Sequence, residues 1–209
     1  DTDDGSTTFT DSSPSEHTIT NTSVTHEDTQ NRFGKTSMYF GGGTKYLVVA
    51  HHADFDFDGD FTIDFWTWQS EYGSQANNRF MQKGANQTDG WGIMTQNSSH
   101  DVYFGRTDEE LCKFTQDLRD STWHHIAVTR QSDNKFRIYL DGVLKDTSTV
   151  YADNLNDGGD LEIAKYPGDT TDRYAGYMDE IRISKGIARW TSNFLPPSTP
   201  NHEGSVSGI

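Results

Sequence analysis

Apolar and polar residues alternate with period two along most of this chain, and no stretch of ordinary helix length carries a helical stripe. Phe61-Thr62-Ile63-Asp64-Phe65 is the plainest case: three large apolar side chains on one face, two polar ones on the other. Short runs of this kind predict strands at "SMYF", "YLVV", "FTIDFWTW", "RFMQK", "WGIMTQ" and "DVYFGR". They continue at "HHIAVTR", "KFRIYLDG", "VLKDTST", "LEIAKY" and "GYMDEIRIS", and Gly, Asn and Asp clusters separate them. In "FRIYLDGVLKDTS", Asp141-Gly142 is the dipeptide of a tight type I′ hairpin, which puts Phe136, Ile138 and Leu140 on one face and Arg137 and Tyr139 on the other. Many antiparallel strands with 12% aromatic residues predict an all-β chain: two sheets packed face to face as a jelly-roll sandwich.

The two ends differ from this body. Residues 1 to 32 are rich in Thr, Ser and Asp, and "STTFT" and "HTIT" predict two edge-type strands around the polar turn from Asp11 to Glu16. Pro196-Pro197 cannot continue a sheet, so "SNFLPPSTPNHEGSVSGI" reads as a linker or loose terminus. The expected organisation is one domain over residues 1–200 with a tail at 201–209. Asp54-Phe55-Asp56-Phe57-Asp58-Gly59 opens like an EF-hand calcium loop. The twelfth position is Phe65 where that loop needs a bidentate Glu, and a strand pattern follows where it needs a helix. The run is a polar turn into a strand.

A net charge of −15 excludes nucleic acid as a main partner, since a duplex or an anionic membrane surface repels such a chain. The single cysteine, Cys112, excludes an intrachain disulfide and thiol-based zinc or redox motifs. Nothing approaches the apolar length that membrane insertion needs. The opening on Asp1 rather than Met suggests a processed product or a segment of something larger.

The order of "GDFTIDFW", "WHHIAVTR", the "YLDG" hairpin and the closing "GYMDEIRISKGIARWTSNF" resembles the laminin-G-like, concanavalin-A-like jelly-roll modules. The resemblance runs from about Thr7 to Pro200, and the closing segment looks like modules of bacteriophage structural proteins and large bacterial surface proteins. It implies a non-catalytic structural or recognition module. The leading setting is a bacteriophage virion component, a capsid decoration, fibre or tail-associated domain, whose partners are other virion proteins or copies of itself. The alternative is a carbohydrate-binding adhesion module of a secreted bacterial surface protein, with cell-surface glycans as partners. Either setting puts the chain on a virion surface or outside a cell. In the resembling family an aspartate of the last long strand often meets an acidic turn after the first strand and holds a structural calcium. Here that pair is Asp11 and Asp179, with Pro14, Ser15 and Glu16 in place of the family's usual Gly and Asn. An apolar-face carboxylate such as Asp179 needs basic side chains, backbone N–H groups or an ion as partner, and the sequence leaves all three open.

Glycoside hydrolases on this fold place facing carboxylates on one strand, but "FTIDFW" has no Glu pair and Asp179 and Glu180 are adjacent, hence on opposite faces. His124 and His125 stand side by side without a nucleophile elbow, so no enzyme is expected. A glycan needs an aromatic platform with amides and carboxylates around it. "WQSEYGSQANN" and "GANQTDGWGIM" offer Tyr72, Asn86, Asp89 and Trp91 in that style, with Asn77 and Asn78 nearby.

Overall fold

The computed structural model describes residues 2–70, 77–84, 90–106, 109–167 and 174–201. Among them, fourteen strands lie in two antiparallel sheets of seven, a jelly-roll sandwich. Sheet A runs in the order β1 (Ile19–Thr22), β4 (Tyr46–Val49), β13 (Leu161–Ile163), β6 (Asn77–Lys83), β7 (Trp91–Gln96), β8 (Asp101–Arg106), β9 (Glu109–Thr115). Sheet B runs in the order β12 (Val143–Thr147), β11 (Phe136–Leu140), β10 (Trp123–Arg130), β5 (Phe61–Trp68), β14 (Ala175–Lys185), β3 (Ser37–Gly41), β2 (Thr25–Glu27).

Period two decides what each sheet buries. Phe61, Ile63 and Phe65 of β5, Ile126 and Val128 of β10, and Phe136, Ile138 and Leu140 of β11 all face sheet A and are buried. Aromatic rings run through this interface: Phe57 stacks on Phe61 at 4.1 Å, Phe104 meets Phe136 at 5.1 Å, and Phe80 meets both Phe65 and Tyr174. Cys112 lies in the same core, where burial pushes its thiol pKa up. The Asp141-Gly142 turn has positive φ at both residues, 51° and 75°, as type I′ requires. The EF-hand-like run forms a short 3-10 turn at Ala53–Phe55, after which Phe57 bridges to Leu155 and joins the core.

The structure differs from the sequence reading in four places. "STTFT" is not a strand; Phe9 instead stacks on the His26 ring at 4.4 Å. Strand β9, "EELCKFT", buries only Cys112 and Phe114, so its pattern is too sparse to stand out from a loop. Strand β14 does not alternate throughout. Asp179 pairs with Trp66 but Arg182 pairs with Asp64, and Glu180 has φ 53°, so a bulge inserts one extra residue. Beyond it the faces swap: Ile183 sits opposite Ile63 on the core side, while Arg182 joins Asp179 on the outer face. Finally, residues 187–201 are not a loose tail but a strap over the outer face of sheet B. Trp190 and Phe194 stack at 4.0 Å, both edge-on to His125, and Phe194 also meets Tyr139. The backbone is pinned at Phe194 N to Gly142 O, Arg189 N to Thr62 Oγ1, and Asn201 N to Glu180 Oε2. Proline bars a ladder, yet leaves a segment free to lie across a sheet through side chains.

Candidate functional site

At the end of sheet B that the strap leaves uncovered, register brings three aromatic residues into one row. Tyr39 of β3 pairs with Tyr177 of β14, which pairs with Trp68 of β5. Directly paired residues point to the same face, so the three rings stand together. Tyr39 and Tyr177 are 4.8 Å apart and Trp68 meets Tyr177 edge-on at 5.6 Å. They line a cleft of about 220 Å³ with Thr29, Gln30 and Ser70 around it. Gly41, also in the lining, lets the Tyr39 side chain lie close over the backbone, since a Cβ there would stand 2.7 Å from the Tyr39 hydroxyl. Lys45 Nζ lies 4.3 Å from the Tyr39 ring centre. Burial, joined by the Glu27 charge, raises the Tyr177 pKa, so its hydroxyl stays neutral and able to donate. Aromatic faces beside hydroxyls and an amide suit the alternating apolar and hydroxyl surfaces of a sugar.

Of the four residues expected to bind glycan, Trp91 alone is among the described residues. Trp91 is fully buried, stacks on Phe57, and donates Nε1–H to the Phe55 carbonyl at 2.9 Å; it is core and offers no platform. Tyr72, Asn86 and Asp89 lie outside the described residues. Asn78 is buried and donates to Asn97. Tyr39, Trp68 and Tyr177 were not among the expected residues. Each is visible as a strand aromatic, but pairing across strands far apart in the chain joins them, and no local pattern reports that register.

The two aspartates of the expected metal pair are each held by separate partners. Asp11 accepts from Ser13 N, Ser13 Oγ and His17 N at 2.8–2.9 Å, within its own turn. Asp179 accepts from Arg32 N and Phe33 N at 3.1 Å on one oxygen and from Glu180 N at 2.9 Å on the other. Among the described residues the two carboxylates share no hydrogen-bond partner, each being held by donors of its own neighbourhood. Burial is the largest influence on Asp179 and carries its pKa from 3.8 up to about 6, with the Glu180 charge adding and the amide donors opposing. A carboxyl whose pKa is raised by folding contributes stability that is present below its unfolded value and is lost as pH rises through about 6. Between about pH 4 and about pH 7 the wild type should therefore lose on the order of 2 kcal/mol relative to Asp179→Asn. Urea unfolding of both proteins across that range measures it; parallel stability curves would contradict it.

Beneath the strap lies a buried ionic centre. Asp64, 1% exposed, takes a two-point contact from Arg182 Nε and Nη2 at 3.0 and 2.9 Å, and His125 Nε2 stands 3.3 Å away. The bulge in β14 is what aims Arg182 at Asp64. His124 faces the other way, between Asp141 at 2.8 Å and Asp120 at 3.1 Å. Burial opposes its charge, but the two aspartates outweigh this and raise its pKa. The paired histidines thus serve opposite faces and form no joint site. Asp64 is ion-paired and covered, and Asp179 is saturated by amides, so neither is placed as a glycosidase acid/base.

Residues 41–189 match the laminin-G-type family described as the concanavalin A-like lectin/glucanases superfamily, and the chain belongs to that family. No curated protein sequence matches it. Among solved structures it is similar to the binding domain of botulinum neurotoxin serotype G, at 16% identity and TM-score 0.65, covering 86% of this chain and 46% of that one. The binding domain of Paraclostridial mosquitocidal protein 1 is similar at 15% identity and TM-score 0.65, covering 87% and 47%. A binding domain of botulinum neurotoxin DC, solved in complex with SialylT, is similar at 16% identity and TM-score 0.61, covering 85% and 45%. The chain therefore spans less than half the length of these proteins, and the likeness is one of fold. No helix among the described residues is long and apolar enough to cross a membrane.

Proposed function

We propose that this chain is a non-catalytic carbohydrate-recognition module that takes a saccharide unit in the cleft of Tyr39, Trp68 and Tyr177. The carrying observation is the cross-strand aromatic row with Thr29, Gln30 and Ser70 at its edge. Tyr177 forms the base, Trp68 and Tyr39 the walls, and Gln30 and the hydroxyls orient the sugar. The virion and bacterial-surface settings both display such a module outward, and a phage component that attaches to host sugars satisfies both. One similar neurotoxin domain is seen in complex with SialylT, and cell entry of the similar type C neurotoxin depends on interaction with two ganglioside molecules. Sialylated glycans are therefore a sensible part of the search.

The test is a broad glycan array followed by calorimetry on any hit. Replacing Trp68 by Ala should weaken binding about tenfold, since an aromatic contact adds about 0.5–1.5 kcal/mol to the apolar area that it buries. The Trp91 environment, far from the cleft, should be unchanged in fluorescence. Array silence, or binding untouched by Trp68→Ala, would refute the cleft.

A further inference from the structure

The segment that precedes β1 meets the loop after β4 in a group of side chains with no role in the cleft. His17, His52 and Asp54 place one ligand atom each within 4.8 Å of one another. His17 Nε2 stands 3.1 Å from Asp54 Oδ2, and His52 Nδ1 stands 3.3 Å from the same oxygen. We propose that these three residues form a binding site for a divalent transition metal of the zinc type, an inference independent of the glycan reading.

Three features support it. Bonds of about 2.0–2.1 Å in a tetrahedral shell put neighbouring ligand atoms about 3.3 Å apart, and His17 Nε2 and His52 Nδ1 stand 3.1 and 3.3 Å from Asp54 Oδ2. Two imidazoles and a carboxylate are a ligand set for zinc, nickel or iron(II), whereas calcium and magnesium take oxygen shells. The third feature is convergence on one atom: His17 Nε2, His52 Nδ1 and Ser15 Oγ lie 3.1, 3.3 and 2.8 Å from the same oxygen, Asp54 Oδ2. His52 Nδ1 accepts the Asp54 backbone N–H at 3.2 Å, a bond that gives way when this nitrogen takes a metal.

The surroundings suit a held ion. The His17 ring packs on Phe55 at 4.9 Å and edge-on to His52 at 4.7 Å, which fixes its plane. Asp11 accepts the His17 backbone N–H at 2.8 Å, and Ser15 Oγ donates to the same Asp54 oxygen at 2.8 Å. Such outer contacts orient ligands and tune affinity. Residues from both sides contribute, so an ion would clamp the N-terminal segment onto the body, and a fourth position remains for water.

The experiment uses chelator-treated, tag-free protein titrated with Zn²⁺ by calorimetry, and with Co²⁺ by visible absorption. We expect one Zn²⁺ per chain, a tetrahedral Co²⁺ spectrum, and a Tm raised by several degrees in zinc but not in calcium. His17→Ala and His52→Ala should each weaken zinc at least about tenfold, the loss that even an outer-shell partner's removal brings. His100→Ala, a histidine elsewhere on the surface, should leave binding unchanged. His52 is half exposed, so its variant will fold whether or not the metal binds. The proposal is overturned by no zinc heat at millimolar metal, or by binding that survives both ligand substitutions.

Discussion

Arg182→Met should cost about 3–5 kcal/mol in urea unfolding, the largest loss expected from any single substitution outside the hydrophobic core. The reason is the partner left behind. Asp64 is 1% exposed and Arg182 is its two-point ion pair, so removing the guanidinium leaves a buried carboxylate with His125 beside it and only the more distant Arg189 charge. Arg182 also lies 5.8 Å from the Trp190 ring centre, and that contact goes too. The double variant Asp64→Leu, Arg182→Met separates pair from partner. Because a buried ion pair is roughly neutral against apolar residues of similar size, the double variant should recover most of the loss. A single variant within about 1 kcal/mol of wild type would show that water reaches Asp64.

The second large effect concerns the strap. Trp190→Ala and Phe194→Ala should each destabilise by about 2 kcal/mol, less than a fully buried aromatic because both rings are partly exposed. They stack on each other at 4.0 Å and share His125, so the pair of substitutions should cost less than the sum. Hydrogen exchange adds a local readout: amides of β10 and β11 under the strap should lose protection before those of sheet A. Wild-type stability in both variants would mean that the C-terminal segment is the loose terminus its prolines suggest.

Much of the architecture is legible in the sequence because burial is periodic. Phe61, Ile63 and Phe65 announce a strand with one core face, and Asp141-Gly142 announces its hairpin, since local sterics alone set both. What stays hidden has specific causes. The bulge in β14 leaves a trace, the spacing of Met178, Ile181 and Ile183 by three and then two, but a strict period-two reading places Ile183 beside Asp179. Trp91 reads as a platform because composition marks a tryptophan among polar residues, whereas its position on an inner face is set by the register of β7 against β6 and β8. Of the strand neighbours its pattern suggests, Asp179 keeps Tyr177 and loses Ile183 to the core face; its amide partners at Arg32 and Phe33 lie 147 and 146 residues away in the chain. The cleft shares that cause, since Tyr39, Trp68 and Tyr177 meet only after β3, β14 and β5 have paired.

The recognition claim is tested most directly by a ¹H–¹⁵N correlation spectrum of the whole chain titrated with its best array glycan. The account predicts that the shifted resonances cluster at the Trp68 indole and the backbones of Gln30, Tyr39, Gly176 and Tyr177. Shifts gathered on the strap or on sheet A, with those signals still, would contradict it.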